Sequence, residues 1–225
     1  MNIDFPTYNF PCRLFDFGLD QEIEFENYRQ LEYYIQEQLY NNEVKQIKDG
    51  LSNVLFWGYY RVGYGRVRVE KFRGQISNLQ LQAFATIVKN NEFDPIVIKK
   101  LGLPQFSQFS FISKILMFLD PARFVTLDKK IMDLGDPQNH ENPLSRIPYS
   151  ERDTGIRVTN KSTKNYLEWC KLCGFIAKEL NSEKIAVDIE RGFFRLVEEK
   201  RIDYAKSIIR SEIRKLHAIT STYPQ

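Results

Sequence analysis

Lys114 is the only lysine in the apolar run from Phe109 to Leu119, and it follows Ser110 and Ser113. A lysine in that setting either snorkels its ammonium to solvent or is held in a cleft as a nucleophile. Nucleophilic work needs the neutral amine, so Phe109, Phe111 and Phe118 would have to desolvate it and lower its pKa well below about 10.4. Beyond the break at Asp120-Pro121 comes Asp128, at a predicted helix start. A carboxylate there either caps the helix or stabilises positive charge that develops in a transition state. An ionised aspartate can also orient water, so hydrolysis does not require a covalent lysine step.

Around this pair lie groups that could bind rather than react. Arg61, Arg66, Arg68, Lys71 and Arg73 face one acid, Glu70, and five bases between Arg146 and Lys164 face two. Such patches are either phosphate contacts or solvated surface. Trp57, Tyr60 and Tyr64 could stack a planar base or fill a core. Cys170-x-x-Cys173 is half a metal site without a second pair, and His140 and His217 stand alone, so core packing is the expectation. Gly63-Tyr64-Gly65 lacks the strand and the third glycine of a dinucleotide fingerprint and reads as a turn. Asp188 and Glu190 read as helix-start acids that pair with Arg191 or Arg195.

The elements that must position these residues are helical. Tyr28, Leu31, Ile35 and Leu39 recur at helical spacing within residues 24–39, and Val44, Ile47, Leu51, Val54 and Leu55 do so within 43–61. Further helices are expected over 78–90, 108–119, 126–134, 161–180 and 188–216, with a candidate turn over 95–101. Pro95 suits a helix start, and Asp120-Pro121 ends the apolar helix. Residues 135–160 form a Pro- and Asn-rich excursion. Only Arg66-Val67-Arg68-Val69 alternates as a strand would. The fold class is therefore all-α: one domain over 1–225, two-lobed with a central cleft, opened by an extended strap over about residues 1–20.

At 225 residues, with 43% hydrophobic and 27% charged positions, the chain is globular in composition, which excludes disordered, collagen-like and low-complexity classes. A net charge of +3 announces no partner by itself. No run approaches a membrane span and Met1-Asn2-Ile3-Asp4 opens without a basic segment, so a protein that stays in the cytoplasm, away from membranes, is expected. Three cysteines, an odd number, argue against a disulfide framework.

The stretch Leu103-Pro104-Gln105-Phe106-Ser107-Gln108, then Lys114, then Asp120-Pro121 and Val125-Thr126-Leu127-Asp128, reads as helix, hairpin, helix, Pro loop and aspartate. In this order it resembles the helix–hairpin–helix DNA glycosylases. The segment Asn53-Val54-Leu55-Phe56-Trp57-Gly58 and the late pair around Trp169 and Ile189 are similar to bacterial 8-oxoguanine-DNA-glycosylase-like proteins. The resemblance covers roughly residues 43–200, with the hairpin and catalytic segment at about 95–134. It implies excision of a modified base from double-stranded DNA, with Lys114 and Asp128 catalytic and no cofactor or metal.

The same resemblance implies a DNA footprint of Arg61, Arg66, Arg68, Gln105, Ser107, Lys129 and Lys130 and a base pocket with Trp57, Tyr60 and Ser110; the oligomeric state is left open, with a monomer favoured. Repair and defence against phage DNA carrying hypermodified bases are both settings it implies. Two features depart from the family. Gln105-Phe106-Ser107 stands where the hairpin usually has Gly-x-Gly, and the 14 residues from Lys114 to Asp128 (128 minus 114) are fewer by about one helical turn. The alternatives are a non-catalytic DNA-binding protein that keeps the hairpin and a helical interaction module.

Overall fold

The computed structural model describes residues 3–150, 152–180 and 183–222. Among these the chain is almost entirely helical, with ten α-helices, two 3-10 turns and a single two-stranded hairpin. It divides into two compact units. One is Asn9–Asp120; the other comprises the residues before Asn9 together with those after Asp120.

In the Asn9–Asp120 unit, β1 (Arg13–Asp16) pairs antiparallel with β2 (Gln21–Glu24), Arg13 opposite Glu24 and Asp16 opposite Gln21. The Asp16 carboxylate accepts from the backbone N–H groups of Gly18 and Leu19 and so shapes the turn. The strap expected over the first twenty residues is thus partly a hairpin. Helix α1 (Tyr28–Leu39) starts where the Asn27 side chain accepts from Gln30 N–H.

Helix α2 (Val44–Tyr59) is the axis of the unit. Ile47, Leu51, Val54 and Leu55 are fully buried, each contributing about 1.5–3 kcal/mol relative to exposure. A 3-10 turn at Tyr60–Val62 and Gly63, with φ +73°, end it. Helix α3 (Gly65–Gln75) then occupies the segment that alternates as a strand would, and packs on α2. Helix α4 (Asn78–Lys89) opens with a capping box between Ser77 and Gln80. Helix α5 (Pro95–Lys100) has Asp94 as its cap and proline in its first turn, and α6 (Phe109–Leu119) buries every residue except Ser110.

The other unit holds α7 (Lys129–Met132), a 3-10 turn at Pro143–Arg146, α8 (Asn160–Glu179), α9 (Ala186–Glu198) and α10 (Ile202–Thr222). The single helix expected over 188–216 is two. Lys200 takes φ +59° after α9, its N–H bonds the Val197 carbonyl, and the Arg201 N–H bonds that of Leu196. That is a Schellman stop with lysine in the position glycine usually takes.

Phe5 packs so closely on α9 that a Cβ at Gly192 would stand 2.5 Å from its ring, and it meets Phe193 edge-on at 5.1 Å. Cys170 and Cys173 are buried free thiols on α8. Burial pushes Cys170 up to about 12 and raises Cys173 well above the ordinary thiol range. No helix among the described residues is long and apolar enough to cross a membrane.

Candidate active site

The connection from α5 to α6 is built around one turn. Phe106 N–H donates to the Leu103 carbonyl at 3.1 Å, Pro104 takes the second position, and Gln105 takes the third with φ +69°. This is the geometry in which glycine or asparagine is ordinarily favoured. The Gln80 amide, reaching from α4, donates to the carbonyls of Leu101 and Gly102 at 3.1 and 2.9 Å and anchors the approach to the turn. Phe106 is buried against Phe72 and Phe111. Ser107 is left exposed at the start of α6, and Gln105 is half-buried.

Gln105 does not stand alone. Its side-chain oxygen accepts from Arg68 Nη1 at 3.0 Å, and the Arg68 guanidinium lies 5.3 Å from the Tyr59 ring centroid. Tyr59 stacks on Phe111 at 4.4 Å. Gln105, expected to grip a phosphate at the turn, is thus linked through α3 and α2 to the ring beside Lys114.

Lys114 is only 8% exposed. Its aliphatic chain passes Gly58 of α2, and its Nζ donates to the Ser110 carbonyl at 3.2 Å and lies 5.2 Å from the Phe111 ring centroid. Ser113 Oγ donates to the same carbonyl at 3.1 Å. The side chain is therefore held inside the apolar cluster, not extended into water. Ser110, expected in a base pocket, contributes a backbone acceptor to this arrangement. Sequence reasoning overlooked Gly58 as a seat, although the Trp57-Gly58 pair was its visible signal.

The expected basic footprint divides. Arg66 is exposed, with its guanidinium 5.0 Å from the Phe15 ring. Arg61 donates to the carbonyl and side-chain oxygens of Asn9 and lies over Phe10 at 4.6 Å, so part of its hydrogen-bonding capacity is already used. Arg73 is engaged with Asp49 at 2.5 Å. Trp57 corrects the expected base pocket. It is 3% exposed between Phe10 and Phe118, so its ring is part of the core and has no open face on which a base could stack. Tyr60 is half-buried, with its hydroxyl donating to Glu22 at 3.1 Å.

In the other unit, Asp128 caps α7: its Oδ1 accepts from the N–H groups of Lys130 and Ile131 at 2.9 and 3.2 Å. The cap occupies one oxygen of a half-buried carboxylate. Lys129 donates to the Asp153 carbonyl at 2.7 Å, and Lys130 pairs with Glu198 at 2.8 Å beside the Phe194 ring. Both lysines are exposed, yet their charges already have acceptors. No group of three His, Cys, Asp or Glu side chains among the described residues could hold a metal ion.

Comparison with protein-family models, with curated proteins and with solved structures returned no match.

Proposed function

We propose that the protein is a DNA glycosylase that excises a modified base from duplex DNA. The observation that carries the reading is the burial of Lys114 in an aromatic cluster on the helix that directly follows a tight helix–turn–helix connection. In this reading α5, the turn at Leu103–Phe106 and α6 form the helix–hairpin–helix that holds a phosphate. Arg66 and Arg68 extend the contact along the backbone, as sequence-independent binding requires.

The amine of Lys114 attacks the anomeric carbon of the sugar, the bond to the base breaks, and the base departs with the bonding electrons. A carboxylate that opposes the oxocarbenium character of that transition state completes the mechanism, the role the sequence resemblance implies for Asp128. The proton lost from the attached nitrogen passes to the departing base; the C1′–O4′ bond then breaks as the nitrogen lone pair forms the C=N bond and O4′ takes a proton from water, and the resulting iminium allows β-elimination of the 3′-phosphate. No cofactor takes part.

Incubation with duplexes carrying 8-oxoguanine, uracil, an alkylated base or a glucosylated base, followed by borohydride, tests the reading. Trapping of protein on one of these DNAs, lost in Lys114→Gln, is the expected result. Base release by Lys114→Gln without trapping assigns hydrolysis to Asp128 and water. The hydrogen bond from Lys114 to the Ser110 carbonyl favours one second reading, a DNA-binding protein in which Lys114 is structural. Salt-dependent duplex binding with no base release from any substrate would select it.

A further inference from the structure

In the unit containing the residues after Asp120, a cavity of about 720 Å³ opens along α8. Its size falls within the range of small-molecule sites, roughly 300–1,000 Å³. Phe124, Leu167 and Phe175 make its walls apolar, while Arg123, Lys171, Lys178 and Lys184 bring four cationic side chains to it and none of the described lining residues is acidic. Lys171, Lys178 and Lys184 are exposed, so the charge is at the mouth and the apolar surface is beneath it.

Gly174 lets the space reach the backbone of α8. It lies within the 20-residue helix α8, lines the cavity, and a Cβ built on it would meet nothing within 4 Å. Glycine inside a helix costs about 1 kcal/mol relative to alanine. Close packing excuses that cost at Gly58 and Gly192, but no neighbour does so at Gly174. Gly74 within α3 has open space around it as well, so what the missing side chain at Gly174 contributes is room along this stretch of the cavity.

We infer that this cavity binds a small amphiphilic anion, an acidic group carried on an apolar or aromatic body. The body fills the space beside Gly174 and Phe175, and the acid meets the cations at the mouth. The inference is independent of base excision and uses none of its residues.

The test is a fluorescence titration of the intact chain with anilinonaphthalene sulfonate, against phenylnaphthylamine, which keeps the rings and lacks the sulfonate. One saturable equivalent of the sulfonate is expected, with the neutral dye weaker by about tenfold or more. Gly174→Leu should weaken binding by occupying the space beside Phe175, and a Lys171→Gln, Lys178→Gln double variant should weaken it by about fivefold or more. Gly174→Ala should raise Tm and still bind. If Gly174→Leu fails to fold, the lysine double variant and the neutral dye decide. Equal binding of both dyes, or no change in the lysine variant, would overturn the inference. Displacement of the dye by duplex DNA or by polyglutamate would also overturn it, assigning the cations to a nucleic acid or a protein partner.

Discussion

Gly58 on α2 is the seat of Lys114 on α6: a methyl at position 58 would stand 3.2 Å from Lys114 Cδ and 2.6 Å from Cε1 of Phe111. The lysine reaches its place inside the cluster because α2 presents no side chain there. The approach of two helices, set by a single hydrogen in place of a methyl, thereby holds the proposed nucleophile.

Gly58→Ala should lower stability despite the better helix propensity of alanine. Overpacking a core costs about 1–3 kcal/mol, against roughly 1 kcal/mol gained from propensity. Urea unfolding measures the balance. In a base-release assay the variant should lose more rate than DNA affinity, because the displaced ring lies beside Lys114. An unchanged or higher unfolding midpoint would mean that Phe111 can swing aside and that the seat is not tight.

Gln105 offers a comparison of two substitutions. Alanine and glycine both remove the 3.0 Å hydrogen bond to Arg68, but only glycine relieves the backbone at φ +69°. A non-glycine residue in that region pays about 1–2 kcal/mol. Gln105→Gly should therefore be more stable than Gln105→Ala by about 1 kcal/mol, read as a difference in urea midpoint at constant slope. Equal midpoints would show that the turn opens without cost.

Asp136 carries a pH-dependent contribution. Burial opposes its ionisation, but the Gln138 backbone N–H and the Arg210 guanidinium, at 3.1 and 2.8 Å, hold its carboxyl below the usual carboxylate range. The folded value lies below the unfolded one of about 3.9. The contribution is therefore present in full above the unfolded value and is lost as pH falls through the folded one. Arg210→Gln should melt below the parent chain at pH 7, and the two curves should converge as pH falls through the folded value. A difference that persists in acid would place the role of Arg210 in packing.

Helices with a full apolar stripe were legible from sequence. The spacing in 78–90 and 108–119 predicts α4 and α6 to within a residue at each end, since their buried positions recur every three or four residues. Helix α3 was not, because it buries only Gly65, Val69 and Phe72, too few to outweigh the alternation of Arg66-Val67-Arg68-Val69. The hairpin strands escaped for the opposite reason. Leu14 and Phe15 are adjacent and both buried, and Gln21–Glu24 is nearly all polar, so neither strand alternates. Lys200 ends α9 in a left-handed conformation that its residue type does not announce.

At the candidate site, the apolar surroundings of Lys114 and the capping position of Asp128 could be read from neighbouring residues in the chain. The contacts of Gly58 with Lys114 and of Arg68 with Gln105 could not. Each joins segments separated by dozens of residues, and no local pattern encodes which face of α2 or α3 meets α6 and its turn.

The unit that contains Phe5 closes only when α9 is available to receive it, and nearly the whole chain separates Phe5 from Gly192. On a ribosome adding about 5–20 residues per second, Phe5 would emerge roughly 10–40 seconds before its partner surface is synthesised. The Asn9–Asp120 unit has all its residues in hand well before then. During synthesis the leading aromatic segment is thus an unburied apolar tether waiting for its dock, and truncation before α9 would leave it permanently exposed to chaperones and proteases.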